Sequence, residues 1–222
     1  MKSRLKAPNF SYLLAGLLLV LFLDPILIDF FDYNSTFLTS LSFSATMILG
    51  VWSLHESKNY FYLGISLICC SLIISLIVSM RPELMILRLL DLAILLTFCA
   101  MSFMFILGAI TVDLNVDANR VVGGVCLYLV IGIIFAIFYI VIEIFLPGSF
   151  KNLPKEQGYG GNTFFYYSFV TLTTLGYGDI APIRPFARMV AAIESLVGVF
   201  YMSILIGSMI GLLLGGRNNK ST

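Results

Sequence analysis

Three threonines, two glycines, a tyrosine and an aspartate crowd the stretch TLTTLGYGDI, residues 171–180, between two long apolar runs. No nucleophile with its base, no acid–base dyad and no metal-ligand spacing accompanies them, so the chain does not read as an enzyme. What the stretch offers is oxygen. An ordinary extended strand points successive carbonyls to opposite sides. Aligning them requires alternate residues at positive φ, which glycine accepts cheaply and other residues resist. Gly176 and Gly178, two apart, supply that freedom. The carbonyls of Thr174, Leu175, Gly176 and Tyr177, with the Thr174 hydroxyl, can then line one axis and replace the water around a dehydrated monovalent cation. These oxygens are neutral, whereas a divalent site would favour carboxylate rings. The nearby acid, Asp179, lies past the last ring.

The preceding segment GNTFFYYSFVTL, residues 161–172, is apolar but too short to span a membrane. With Asn162 or Thr163 as its cap it reads as a half-helix dipping in from one side, and TTLGYGD as the limb that returns. Non-helical backbone at membrane depth survives only where protein buries it or where it lines an aqueous path. The half-helix ends near Leu172, so its negative dipole end favours a cation.

A membrane is required by composition. The 222 residues are 59% hydrophobic and 11% charged, too little charge to cover a soluble domain of this size. A net charge of +1 without a basic block gives no hint of nucleic acid. The four cysteines (Cys69, Cys70, Cys99, Cys126) lie inside apolar runs and read as small buried hydrophobes. Six stretches reach the about 20 residues of a spanning helix: 11–32, 36–54, 60–80, 84–110, 121–146 and 186–214. The first has a basic head like a signal peptide, but it runs through Asp24-Pro25 without a small-residue cleavage site and is read as a retained span. The expected fold is an all-α membrane protein with six transmembrane helices plus the re-entrant half-helix. Residues 1–118 form a four-helix bundle and residues 119–222 the pore domain. Lys2, Arg4 and Lys6 at the head and Arg217 and Lys220 at the tail place both termini in the cytoplasm.

TLTTLGYGD resembles the signature of the tetrameric potassium channels, whose selectivity rests on such carbonyl rings. The resemblance covers about residues 121–214. The family's inner-helix glycine falls at Gly198, and FYIVIE, ending at Glu143, is similar to the outer end of the family's outer pore helix. The resemblance implies K+ at Thr174, Leu175, Gly176 and Tyr177, with Gly178 completing the filter. Thr171, Thr173, Tyr166, Tyr167, Asp179, Glu194 and Glu143 are expected to support it. There are departures: Leu175 replaces the commoner valine or isoleucine, and Tyr166-Tyr167 stands for an aromatic pair that braces the filter tyrosine. Val170 occupies the place of a glutamate that in some members holds the filter aspartate, so Asp179 must find another partner. One chain carries one loop, so the working unit is expected to be a homotetramer, with three further copies of the chain, K+ and membrane lipid as its partners. No cofactor is expected beyond the permeant ion.

Several residues keep two readings. Gly198 is a helix hinge, or a small residue packed against the half-helix. Gly207, Gly211 and Gly215 suit either a crossing of four inner helices or packing on the fifth span. Glu194 is a proton-sensitive brace paired to hydroxyls such as Ser168 or Thr171, or a static strut, and Glu143 divides the same way. The fourth span carries only Arg88, with Asp91 three residues on, which does not fit a steep voltage sensor. Arg88 is expected to pair with Asp24 or Asp29. His55 reads as a solvated loop residue, and Trp52 and the run NYFYLG, residues 59–64, as interfacial anchors. The function expected is a potassium-selective channel conducting passively across a plasma membrane, of prokaryotic type. The alternatives are a weakly selective monovalent cation channel and a non-conducting membrane receptor or assembly subunit.

Overall fold

Long runs of leucine, isoleucine, valine and phenylalanine can satisfy their backbone groups in lipid only as helices, and helices dominate the computed structural model. It describes residues 10–31, 58–80, 84–111, 118–154 and 161–218. In chain order these form α1 (Phe10–Phe31), α2 (Lys58–Met80), α3 (Met85–Thr111), α4 (Ala118–Phe145), β1 (Phe150–Lys151), α5 (Gly161–Leu172), β2 (Ala181–Pro182) and α6 (Pro185–Asn218). The expected span over 36–54, Trp52 and His55 lie outside the described residues. Among the described helices, three are long and apolar enough to cross a membrane: Met85–Gly108, Asn119–Phe145 and Pro185–Gly207. Phe10–Leu23 and Gly64–Val78 are shorter apolar helices.

α4 is the hub, with α1, α3, α5 and α6 packed on it. Its Cys126, Val130, Ala136, Ile137 and Tyr139 are fully or almost fully buried. α1 docks by its N-terminus. The Phe10 N–H, one of the donors a helix start leaves unpaired, donates to Asn119 Oδ1 at 3.0 Å. The Phe10 ring lies so close to Gly123 that a Cβ there would stand 2.9 Å away. α2 joins α3 through Ser71, whose hydroxyl donates to Asp91 Oδ1 at 2.9 Å, beside the buried pair Ile68 and Phe98. Asp91 therefore serves the α2–α3 seam. Asp24 and Asp29 lie in α1, and their side chains, with any pairing to Arg88, fall outside the described residues.

Between α4 and α6 the chain builds the re-entrant loop. Gly148, at φ 76°, makes the turn that ends α4, a conformation glycine adopts without a Cβ penalty. β1 and β2 pair antiparallel, Phe150 opposite Pro182 and Lys151 opposite Ala181, closing the base of the loop. α6 begins on Pro185, where a missing N–H costs nothing. Its Met189, Ile193, Leu196 and Phe200 remain exposed on the single subunit.

Candidate functional site

The half-helix α5 ends at Leu172 and the limb Thr173–Asp179 turns back from it. Its first amides fold onto the helix end. Thr173 N–H donates to the Phe169 carbonyl at 3.0 Å and Thr174 N–H to Thr171 at 2.9 Å. Leu175 and Gly176 N–H share the Val170 carbonyl at 2.9 and 3.3 Å. In a trans peptide the C=O points opposite to the N–H of the next residue. Amides directed at the half-helix therefore send the carbonyls of Thr173, Thr174 and Leu175 away from it.

The backbone alternates as aligned carbonyls require. Thr174, Gly176 and Gly178 have φ of 60°, 58° and 79°. The two glycines are where the sequence puts them. Thr174 extends the pattern one step earlier, at a β-branched residue for which the left-handed region costs about 1–2 kcal/mol. All of Thr173–Asp179 is exposed on the single subunit, with Leu175 55% and Tyr177 68% open.

The residues expected to support the limb have different partners. Thr171 and Thr173 spend their hydroxyls on helix carbonyls four residues back, Tyr167 at 2.8 Å and Phe169 at 2.7 Å. Thr171 is therefore not the partner of Glu194. Ser168 and Tyr139 are: the Tyr139 hydroxyl meets one carboxylate oxygen and Ser168 Oγ the other. Tyr167 turns into the core, edge-on to Tyr139 and Phe150 with ring centroids 4.9 and 5.3 Å away. Tyr166 faces the other way and supplies the partner Asp179 needed, donating its hydroxyl to Oδ2 at 2.6 Å. That bond holds the Asp179 carboxyl below the usual carboxylate range. Asn152, in the left-handed region at φ 60°, adds a bond from Nδ2 to the Asp179 carbonyl at 2.8 Å. Glu143 accepts the Gly148 and Ser149 amides at 2.7 and 2.9 Å and so fixes the turn that leaves α4. Arg184 Nη2 donates to the Pro147 carbonyl at 3.2 Å from the other side of the same turn.

The end of α5 is also the seat of α6. A Cβ on Gly198 would stand 2.0 Å from the Leu172 carbonyl oxygen, so close approach explains the glycine here, in an α-helix that runs unbroken from Pro185 to Asn218. One turn nearer the start of α6, Ser195 Oγ donates to the Thr171 carbonyl at 3.0 Å, and Tyr128 of α4 donates to that of Leu172 at 3.2 Å. The carbonyls of Phe169, Val170, Thr171 and Leu172 are thus all engaged, and the expected negative pole is also a socket for its neighbours. A Cβ on Gly207 would meet nothing within 4 Å on the single subunit, and Gly211 follows in α6 where side chains fall outside the described residues. Tyr128, Tyr139, Asn152 and Ser195 were not singled out by spacing. Tyr128 and Tyr139 carry one signal, a hydroxyl within a long apolar run; Asn152 beside Lys151 and Ser195 beside Glu194 carry none.

Known proteins point the same way. Residues 125–214 match a family model described as "Ion channel". The chain is 30% identical over 84 residues to Two-pore potassium channel 5 of Arabidopsis thaliana, covering 36% of this chain and 21% of that protein. It is 34% identical over 82 residues to the inward rectifier potassium channel Kirbac3.1 of Paramagnetospirillum magnetotacticum, covering 35% and 24%. With the potassium voltage-gated channel protein shk-1 of Caenorhabditis elegans it shares 32% identity over 74 residues, 31% and 14% of the two chains. The chain therefore spans a quarter or less of the length of these relatives. They and the matched family are channels and not enzymes. Residues 125–214 thus match the model of an ion channel family, and this part of the chain is similar to proteins named as potassium channels.

Proposed function

We propose that the chain is the subunit of a homotetrameric, potassium-selective channel, passive in its conduction. Four copies of the limb 174–178 would surround one axis, each contributing the carbonyls of Thr174, Leu175, Gly176 and Tyr177 and the Thr174 hydroxyl. The observation that carries this reading is the alternation of positive φ at Thr174, Gly176 and Gly178, joined to amides that turn back on the half-helix. A chance glycine turn has no need of the third residue or of the shared Val170 carbonyl. Exposure of Leu175, Tyr177 and the α6 face on a single subunit fits surfaces that neighbouring copies cover.

The remaining expectations belong to the same proposal: six spans, a plasma-membrane location, both termini cytoplasmic, and a first bundle that is not a steep voltage sensor. The test is uptake of K+ or Rb+ into liposomes holding the purified full-length protein, with Gly176→Ala as the silent control. Flux in the wild type and none in the variant supports conduction through the limb. Absence of flux in a correctly assembled wild type leaves the receptor or assembly subunit. Reversal potentials in mixed K+ and Na+ decide selectivity, for which Leu175 is the residue to vary. A mass measurement in detergent or nanodiscs reports the fourfold stoichiometry, and any other number sinks the pore geometry.

A further inference from the structure

Behind the filter, three helices meet at one carboxyl. Glu194 of α6 is 0% exposed, as are Ser168 of α5 and Tyr139 of α4. Tyr139 donates its hydroxyl to Glu194 Oε2. Ser168 Oγ lies within hydrogen-bond distance of two oxygens, Glu194 Oε1 and the Gly132 carbonyl, the latter at 2.7 Å. A serine hydroxyl carries one proton and two lone pairs, and a backbone carbonyl can only accept. Ser168 must therefore donate to Gly132, and the proton between Ser168 and Glu194 has to come from Glu194. With a carboxylate, one of two close oxygen pairs would face each other without a proton, in a site that excludes water.

We propose that Glu194 is held as a neutral carboxylic acid and acts as the positioning residue of the pore half-helix. The chain of bonds runs from Tyr139 O–H to Oε2, from Oε1–H to Ser168 Oγ, and from Ser168 O–H to the Gly132 carbonyl. It ties α4 to α6, α6 to α5 and α5 back to α4, one turn before the Leu172 end on which the limb is seated. The surroundings agree. The ionisable groups near the carboxyl are Tyr139 and Tyr128 from α4 and Tyr167 from α5. Glu143 of α4, the other buried carboxyl among the described residues, is occupied by the Gly148 and Ser149 amides. Among the described residues, no cation is a partner of Glu194. This goes beyond the channel reading, because an ionised strut would support a filter equally well.

Infrared difference spectroscopy on the full-length protein in liposomes tests it without any need for flux. At neutral pH the wild type minus Glu194→Gln should show the carbonyl stretch of a protonated carboxylic acid, and that band should move in Ser168→Ala and in Tyr139→Phe. Should Glu194→Gln fail to assemble, the shift in the other two variants still decides. A carboxylate band in its place, or no shift, overturns the proposal. Gln keeps an acceptor for Tyr139 and a donor for Ser168, with one further N–H, so Glu194→Gln should retain most of the wild-type flux. Glu194→Ala strands the Tyr139 hydroxyl, leaves Ser168 Oγ without its donor and should lower flux at least about tenfold. Equal loss in Gln and Ala counts against the neutral acid. A silent wild type speaks to conduction alone and leaves the infrared result standing.

Discussion

Replacing Gly198 by alanine separates two roles that a glycine in an inner helix can have. The new methyl would lie 2.0 Å from the Leu172 carbonyl oxygen. Ordinary C···O contacts are no shorter than about 3.3 Å, so α6 and the end of α5 must part by roughly 1.3 Å. The obstacle is backbone, so no rotamer change removes it. The same displacement stretches the Ser195 bond to Thr171, now 3.0 Å, beyond useful length. Overpacking of this kind costs about 1–3 kcal/mol, and a lost hydrogen bond about 0.5–1.5 kcal/mol more, in each subunit. Four copies multiply the sum to about 6–18 kcal/mol for the proposed tetramer, enough to lower its melting temperature and dissolve it in mild detergent. A hinge gives a different result: alanine stiffens the helix, the open fraction changes, and assembly is untouched. The measurement is tetramer survival against temperature by light scattering or native electrophoresis, with ion flux alongside. Gly198→Ala tetramers as robust as wild type, altered only in flux, would refute the packing argument.

Three further outcomes follow from the same geometry. Tyr166→Phe removes the bond that depresses the Asp179 carboxyl. A depressed native value means that the bond's contribution is present above the ordinary aspartate value of about 3.9 and is lost as pH falls through the lowered one. Acid loss of flux should therefore begin at higher pH in Tyr166→Phe than in wild type, and superimposable acid limbs would count against it. Gly176→Ala meets nothing within its own subunit but must hold φ at 58°, at a cost of about 1–2 kcal/mol in each of the four proposed limbs. Its flux should vanish while its tetramer, seated by α5 and α6, melts within a few degrees of wild type. Ser71→Ala takes the donor from Asp91 in the α2–α3 seam and should destabilise the first bundle by about 1–3 kcal/mol, read by thermal unfolding, with little effect on flux.

The sequence revealed most where one physical requirement has one chemical solution. Continuous apolar runs must be helical in lipid, so the readings 11–32, 60–80, 84–110, 121–146 and 186–214 lie close to Phe10–Phe31, Lys58–Met80, Met85–Thr111, Ala118–Phe145 and Pro185–Asn218. Positive φ is cheap only for glycine, so Gly176 and Gly178 stood out. Thr174 did not, because its neighbours, and not its own preference, hold it there. Hydroxyl partnerships were the least legible. Ser168 and Thr171 are both on α5 and both suited Glu194 by spacing, yet Thr171 bonds back within its own helix and only Ser168 points at α6. Tyr139, on a third helix, could be found only once the fold brought it there.

The same asymmetry decides what Asp179 does. Val170 offers Asp179 no polar group, and its partner is a phenol four residues earlier on the same half-helix. Because a phenol donates and does not compete for the proton, Asp179 has a neutral donor where another acid would share its charge. A shared proton between two acids would give a coupled, two-step titration at the exit of the limb. One donor and one acceptor give a single step below the ordinary carboxylate range. The residue exchanged at position 170 therefore changes the acid response of the limb without touching the oxygens proposed to hold the ion, and the slope of the acid limb, one proton against two, distinguishes the two arrangements.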